Sequence, residues 1–148
     1  MPAEQALEGA IELGFDLPAA PEAVFAAWTQ AERIVRWWGA DEAHRTTAWS
    51  GELRPGGVWR AEFDGGGASA EGRYPVVEPP ARLVLTWNAS WAPEEETTLF
   101  MTFAPSQRGA RLVIRQVGLA DAAARGETEA AWRRIVGWLE RGLTRVAS

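Results

Sequence analysis

The stretch from Glu127 to Ala147 constrains the fold most, because its apolar residues recur with the spacing of a helix that buries one face. At about 100° per residue, the large apolar side chains fall within one arc of a helical cylinder. These residues are Trp132, Ile135, Val136, Leu139, Leu143 and Val146. The pattern predicts a helix roughly 30 Å long, with one stripe that the rest of the chain must cover.

The charges along this segment fit a helix that begins near Glu127. Glu127 and Glu129 would then lie in the first turn, and Arg141 and Arg145 in the last turn. Acidic groups at the start of a helix and basic groups at its end both oppose the helix dipole. We therefore expect the helix to begin at Glu127.

The beginning of the chain predicts one strand followed by two short helices. Apolar and polar residues alternate from Glu8 to Leu17, which is typical of a strand with one buried face. Pro21 suits the first position of a helix over Pro21 to Thr29. A second helix is expected over Ala31 to Trp38, with Gly39 as its cap.

Six further strands follow, separated by short segments rich in glycine and proline. The expected strands are Arg45 to Leu53, Val58 to Asp64, Ala70 to Val77, Leu83 to Asn88, Thr97 to Phe103 and Ala110 to Val117. The expected turns are Pro55-Gly56-Gly57, Gly65-Gly66-Gly67, Pro79-Pro80, Ala92-Pro93-Glu94 and Pro105 to Gly109. This spacing favours an antiparallel meander.

A single antiparallel sheet and an amphipathic helix each have one face to bury, so we expect a curved sheet that closes around the last helix. Curvature requires glycines or bulges, for which Gly51, Gly56, Gly57 and Gly72 are the candidates. The fold class is therefore α+β, and residues 1–148 are expected to form one domain.

Composition excludes several classes of function. The chain has nine tryptophans, no cysteine and no lysine, which removes thiolate metal sites, cysteine nucleophiles and Schiff-base chemistry. A net charge of −5 argues against a nucleic-acid partner. Because no basic leader precedes an apolar run, and no run is long enough to span a membrane, we expect a cytoplasmic protein.

Several short sequences, taken in order, resemble one known family. They are Ala27-Trp28-Thr29, Arg36-Trp37-Trp38-Gly39, Leu53-Arg54-Pro55-Gly56-Gly57-Val58-Trp59, the run from Val77 to Trp87, and Gly137-Trp138. Together they resemble the family named for the activator of heat-shock-protein-90 ATPase, within the SRPBCC or START-like helix-grip superfamily. The resemblance runs from about Ile11 to Leu143.

The resemblance implies a β-α-α-β6-α helix-grip fold, in which a curved seven-stranded antiparallel sheet wraps around a long C-terminal helix. It also implies an internal cavity between the sheet and that helix. The superfamily includes lipid-transfer domains, aromatic polyketide cyclases and co-chaperones, so the resemblance leaves the function open.

The aromatic residues that face the predicted interior are the candidate ligand site. The strand alternation and the helical stripe select Trp38, Trp59, Phe63, Tyr74, Trp87, Met101, Phe103, Ile114, Gln116, Trp132, Ile135, Val136 and Leu139. A mostly apolar wall with a few polar groups suits a small-molecule pocket. The alternative is that these side chains close-pack and leave no space.

Adjacent Trp37 and Trp38 point about 100° apart on a helix, so both cannot face one core. Either one of them lies at a cavity mouth or on the surface, or the end of the helix at Gly39 turns the second ring inward. The sequence does not decide between these alternatives.

Charged residues offer weaker candidates. Arg60, Glu62, Glu71 and Arg73 form either an exposed ladder of diagonal ion pairs, which we favour, or an acid/base pair. The one histidine, His44, is read as a solvated loop residue. We expect no catalytic set, no metal site and no cofactor.

The leading hypothesis is a binding protein, monomeric or homodimeric, that holds an apolar, aromatic or lipid-like small molecule. One alternative is a cyclase-like or hydrolase-like enzyme in which Gln116, Tyr74 and Glu62 move protons. The other is a stress-response module that binds a chaperone, which an exposed apolar patch at Trp37 or Trp91 would favour.

Overall fold

The structure is a computed structural model that describes residues 10–38, 46–63, 68–90, 92–119 and 122–147. Within these ranges the strands are β1 Ile11–Leu17, β2 Thr46–Gly51, β3 Gly57–Phe63, β4 Ser69–Tyr74, β5 Val76–Glu78, β6 Arg82–Ala89, β7 Ala92–Pro105 and β8 Ala110–Val117. The helices are α1 Pro21–Thr29, α2 Ala31–Trp37 and α3 Ala122–Ala147.

The described strands form one antiparallel sheet in the order β1-β8-β7-β6-β4-β3-β2, with β5 paired to β6 beside this path. The long helix α3 contacts β1 and α2, and α1 contacts β7 and β8. The predicted apolar stripe of α3 is buried at Trp132, Ile135, Val136 and Leu139. The expected α+β helix-grip fold is therefore confirmed.

The sheet has eight strands in the described part of the chain, where the sequence predicted seven. Tyr74 ends β4 and Val76 begins β5, so the single strand expected over Ala70 to Val77 is divided at Pro75. Proline has no N–H to donate to the ladder, which explains the break.

Two other boundaries were predicted wrongly. Ala92-Pro93-Glu94 was expected to be a turn, but it is the start of β7, which pairs with β6 through Ala89 and Ala92. The last helix begins at Ala122 rather than Glu127, so Glu127 and Glu129 do not lie in its first turn. The dipole argument therefore placed the start of α3 too late.

Bulges also occur at other positions than expected. The register shifts between Thr46 and Ala48 on β2, and between Trp87 and Ala89 on β6. Gly56 instead serves the β2–β3 turn, where its φ of 84° favours glycine. The expected Gly65-Gly66-Gly67 turn, the Gly39 cap and His44 lie outside the described residues.

Gly72 is required by a close approach on the inner face of the sheet. A Cβ at this position would lie 1.9 Å from the backbone oxygen of Thr86 and 2.7 Å from Trp59 Nε1. Because backbone cannot move away as a flexible side chain can, only glycine fits here.

We predict that Gly72→Ala lowers the free energy of unfolding by about 3 kcal/mol, because the new methyl group displaces either the Thr86 backbone or the Trp59 ring. Gly126→Ala is the matched control. Its new Cβ would meet nothing within 4 Å, and alanine in a helix should add about 0.5 to 1 kcal/mol. Urea denaturation measures both values, and a Gly72→Ala protein as stable as the parent would contradict the packing described here.

Candidate functional site

The inner face of the sheet collects the residues that the sequence selected. Those that are fully buried are Trp38, Trp59, Phe63, Tyr74, Met101, Phe103, Ile114, Gln116, Trp132, Ile135, Val136 and Leu139. Trp87 is partly buried and packs against the same core. The alternation therefore identified the correct face, while a role in ligand binding remains a prediction.

Four tryptophans on this face form a closed circuit of ring contacts, which we call the tryptophan tetrad: Trp38, Trp49, Trp59 and Trp87. Trp49 stacks on Trp59 with ring centroids 5.0 Å apart and planes 10° apart. Trp59 lies 5.3 Å from Trp87, and Trp87 meets Trp38 edge-on at 5.2 Å. Trp38 closes the circuit by meeting Trp49 edge-on at 5.7 Å.

Trp49 joins the tetrad because of the bulge in β2. Residues three apart on a regular strand face opposite sides, yet Thr46 pairs with Phe63 and Trp49 pairs with Ala61. Phe63 and Ala61 both face inward, so the bulge brings Thr46 and Trp49 to the same face. Sequence analysis missed both residues, because no local signal marks this bulge.

Trp59 is fixed in the tetrad by its indole N–H. Trp59 Nε1 donates to the backbone oxygen of Thr86 on β6 at 3.0 Å. Trp59 lies directly opposite Gly72 on β4, so the ring reaches β6 by passing over a residue without a side chain. Because Trp49 stacks on Trp59, the same hydrogen bond also fixes the position of the Trp49 ring.

Trp38 contacts the other rings of the tetrad because α2 ends at Trp37, one residue before it. Trp38 has φ −94° and ψ 150°, an extended conformation that turns its ring away from the helical path of Trp37. Both residues are consequently buried, at 5% exposure for Trp37 and 3% for Trp38. Of the two alternatives for this pair, the one with both rings inside is correct, and a surface position for Trp37 is wrong.

Several polar atoms of this interior have no hydrogen-bond partner within the described ranges. They are the indole nitrogens of Trp28, Trp38 and Trp49 and the hydroxyl oxygen of Thr46. Most buried polar atoms in proteins are hydrogen-bonded, and an unpaired one costs about 1 to 3 kcal/mol. Trp28 lies in α1, whereas Trp38, Thr46 and Trp49 lie close together where α2 meets β2.

Three other polar side chains on the wall, those of Gln116, Thr97 and Trp132, are by contrast hydrogen-bonded to one another. Trp132 Nε1 on α3 donates to Gln116 Oε1 at 2.8 Å, and Gln116 Nε2 donates to Thr97 Oγ1 at 2.9 Å. This chain of hydrogen bonds ties α3 to β8 and β7. Gln116, which was considered as a proton-moving residue, therefore already serves the contact between helix and sheet.

Tyr74, the last residue of β4, is also buried on this wall. Burial raises the pKa of its phenol well above the ordinary value of 10.0, since the charged phenolate would lose its hydration. Tyr74 Oη and Trp49 Nε1 both point at Gly51, at 3.1 and 3.3 Å from where a Cβ of that residue would lie. Tyr74 therefore stays protonated at neutral pH. It can donate a hydrogen bond, but its phenolate is not available to act as a base.

Charged residues lie on the outer face of the sheet. Arg60 Nη1 lies 3.0 Å from Glu71 Oε1, and both side chains are about half exposed. The two residues are directly opposite in the register rather than diagonal. Glu62 is also exposed, at 4.0 Å from Arg60, so it does not reach the interior as an acid/base residue.

No set of three acidic or histidine side chains able to hold a metal ion is found in the part of the chain that the structure describes. No helix in the described ranges has both the length and the apolar character that crossing a membrane requires.

Tyr74 provides a pH-dependent prediction, because it is the only tyrosine of the chain. The folded state binds the phenolic proton more tightly than the unfolded state, so the contribution of Tyr74 to stability should be fully present below about pH 10 and fall as the pH rises further. Tyrosinate absorbance should accordingly appear only together with unfolding. Tyr74→Phe should abolish the absorbance signal. Titration of the folded protein near pH 10 would show that the phenol is hydrated.

A sequence model of the Activator of Hsp90 ATPase homolog 1-like protein family matches residues 18–143. A search of functionally curated proteins gives no significant match.

Solved structures share the fold. A Rhodobacter sphaeroides protein is 23% identical with a TM-score of 0.79, covering 93% of each chain. An AHSA1-like protein from Aeromonas hydrophila is 21% identical with a TM-score of 0.77, covering 93% of this chain and 94% of its own. DynU16, from the dynemicin biosynthetic locus, is 22% identical with a TM-score of 0.77. The match covers 92% of this chain and 47% of DynU16. Since the family match covers most of its length, the chain belongs to the Activator of Hsp90 ATPase homolog 1-like protein family.

Proposed function

We propose that this protein binds a small apolar or aromatic molecule between the inner face of the sheet and α3. The observation that carries the proposal is the group of buried, unpartnered indole and hydroxyl groups in an interior made mostly of apolar side chains. A pocket for small molecules combines these two features, apolar surface for affinity and a few polar groups for orientation.

The aromatic character of the wall favours a planar ligand. Indole rings bury a large area and interact best with other rings in stacked or edge-on geometry. Within the tetrad the rings already pair with one another in both geometries, at interplanar angles from 10° to 86°, and a planar ligand would add one more ring to the same kind of contact.

Within the described residues, neither alternative function has a site. Enzymatic proton transfer would require a base on the inner wall, but Glu62 is exposed and Tyr74 holds its proton. A chaperone-binding patch at Trp37 is wrong, because that ring is buried. Trp91 lies outside the described residues.

We expect saturable binding of at least one ligand from a panel of 1,4-naphthoquinone, a hydroxyanthraquinone and dodecanoate. Quenching of tryptophan fluorescence should report it, since the rings line the proposed site. Isothermal titration calorimetry should give the same dissociation constant, which guards against optical artefacts.

Val136→Phe tests where the ligand lies. Val136 is 3% exposed on the stripe of α3 that faces the sheet, so a larger side chain there should fill ligand space and weaken binding about 10-fold or more. Arg133→Phe, on the exposed side of α3, should bind as the parent does. Two results would contradict the proposal. One is an absence of binding across the panel, and the other is a Val136→Phe protein destabilised by about 1 to 3 kcal/mol, as expected for a core without space.

A further inference from the structure

Three of the unpartnered polar atoms belong to one corner of the interior, which we call the donor corner: Trp38 Nε1, Thr46 Oγ1 and Trp49 Nε1. The backbone N–H of Thr46 donates to the backbone oxygen of Trp38 at 3.0 Å. Phe63, the register partner of Thr46, lies 5.3 Å from the Trp38 ring. Contacts on two sides therefore hold these residues together where α2 meets β2.

The donor corner is well enclosed. Trp38 is 3% exposed and Thr46 is 5% exposed, so more than nine-tenths of each residue is buried. Trp49 is partly buried, and its Nε1 is inaccessible to solvent. Polar atoms enclosed in this way cannot recover their hydrogen bonds from bulk water, which makes a complementary ligand atom worth more here than at the surface.

The chemistry of the corner selects acceptors. An indole N–H donates and cannot accept, and a threonine hydroxyl can do both. Trp49 Nε1 and the Tyr74 hydroxyl both lie close to Gly51, so the Tyr74 hydroxyl is another donor beside the corner. A ligand that pairs these groups must therefore bring oxygen or nitrogen acceptors.

The surroundings select a neutral ligand. The fully buried polar residues in the described part of the chain are Thr46, Thr97 and Gln116, and none of them carries a charge. A carboxylate placed against these three described residues would lose its hydration without gaining a counter-charge from them. A carbonyl oxygen accepts the same hydrogen bonds at a smaller desolvation cost.

From this we infer that the donor corner binds the carbonyl oxygen of a neutral, planar ring ketone or quinone, and that it discriminates against the parent hydrocarbon and against aromatic carboxylates. This inference rests on the proposed function, since it assigns the ligand class for the same interior. The tetrad supplies the ring contacts, and Trp38, Trp49 and Thr46 supply the hydrogen bonds.

Three ligands of one ring size test the discrimination: naphthalene, 1,4-naphthoquinone and 1-naphthoate. The protein has neither cysteine nor lysine, so side-chain thiols and amines cannot form adducts with the quinone. We expect 1,4-naphthoquinone to bind about 10-fold more tightly than the other two, as one or two added hydrogen bonds allow. Calorimetry measures the three dissociation constants.

The variants Thr46→Val and Trp49→Phe should each reduce the preference for the quinone toward equal affinity, because each removes a hydrogen-bonding group. Thr46→Val keeps a similar shape, whereas Trp49→Phe also shortens the stacked ring, so the quinone-to-naphthalene affinity ratio is compared rather than the affinity for the quinone alone. Thr47→Val is the matched control. The Thr47 hydroxyl is exposed and donates to the backbone oxygen of Glu62 at 3.2 Å, so its loss should leave the preference unchanged.

A heteronuclear spectrum of the indole N–H groups gives a readout of ligand contact in the unsubstituted protein. Resonances of the nine tryptophans are assigned by single Trp→Phe substitutions. The quinone, but not naphthalene, should shift the Trp38 and Trp49 resonances downfield as their N–H groups acquire acceptors.

The outcomes separate the two proposals. If naphthalene and the quinone bind equally and the Trp38 and Trp49 resonances stay in place, the donors are satisfied by neighbouring ring faces and the donor corner is not a ligand site. The proposed function would survive that result. If none of the three ligands binds, the assignment of the donor corner is overturned, and the proposed function is overturned as well only if the hydroxyanthraquinone and dodecanoate also fail to bind. Tighter binding of the naphthoate than of the quinone would overturn the assignment of a neutral ligand alone.

Discussion

The interior depends on one hydrogen bond, the donation from Trp59 Nε1 to the backbone oxygen of Thr86. Gly72 makes it possible, because any side chain there would occupy the path of the ring. Thr86 also accepts the backbone N–H of Arg73 through Oγ1, at 2.9 Å. The threonine thus replaces part of the regular β4–β6 ladder, and the Trp59 ring is held flat enough for Trp49 to stack on it.

The polar groups of the interior divide into two kinds. Gln116 joins Trp132 to Thr97, so its hydrogen bonds fix α3 against the sheet and add specificity to a contact that apolar packing alone leaves adjustable. Trp38, Thr46 and Trp49 hold donors that no described protein atom accepts. The proposed ligand would bind at the unpaired groups, because they gain most from a hydrogen-bond acceptor.

The sequence predicted the architecture well where periodicity is long, as in the stripe of α3 and the alternation of β3 and β8. It failed where one residue changes the pairing. Pro75 divides a strand, and the bulge beside Ala48 reverses the face of everything after it on β2. Trp49 was therefore absent from the predicted site although it stacks on a predicted member, since register depends on the partner strand and not on local sequence. Whether an indole N–H finds a hydrogen-bond acceptor likewise depends on the packed interior, so the local sequence does not predict it.

The central claim is that the interior receives a ligand through hydrogen bonds from the donor corner. A crystal structure of the protein with 1,4-naphthoquinone tests this most directly. The account predicts a carbonyl oxygen within about 2.7 to 3.2 Å of Trp38 Nε1 or Trp49 Nε1, with the ring plane against the tetrad. A quinone bound only on the outer surface, over an interior filled by side chains, would contradict it.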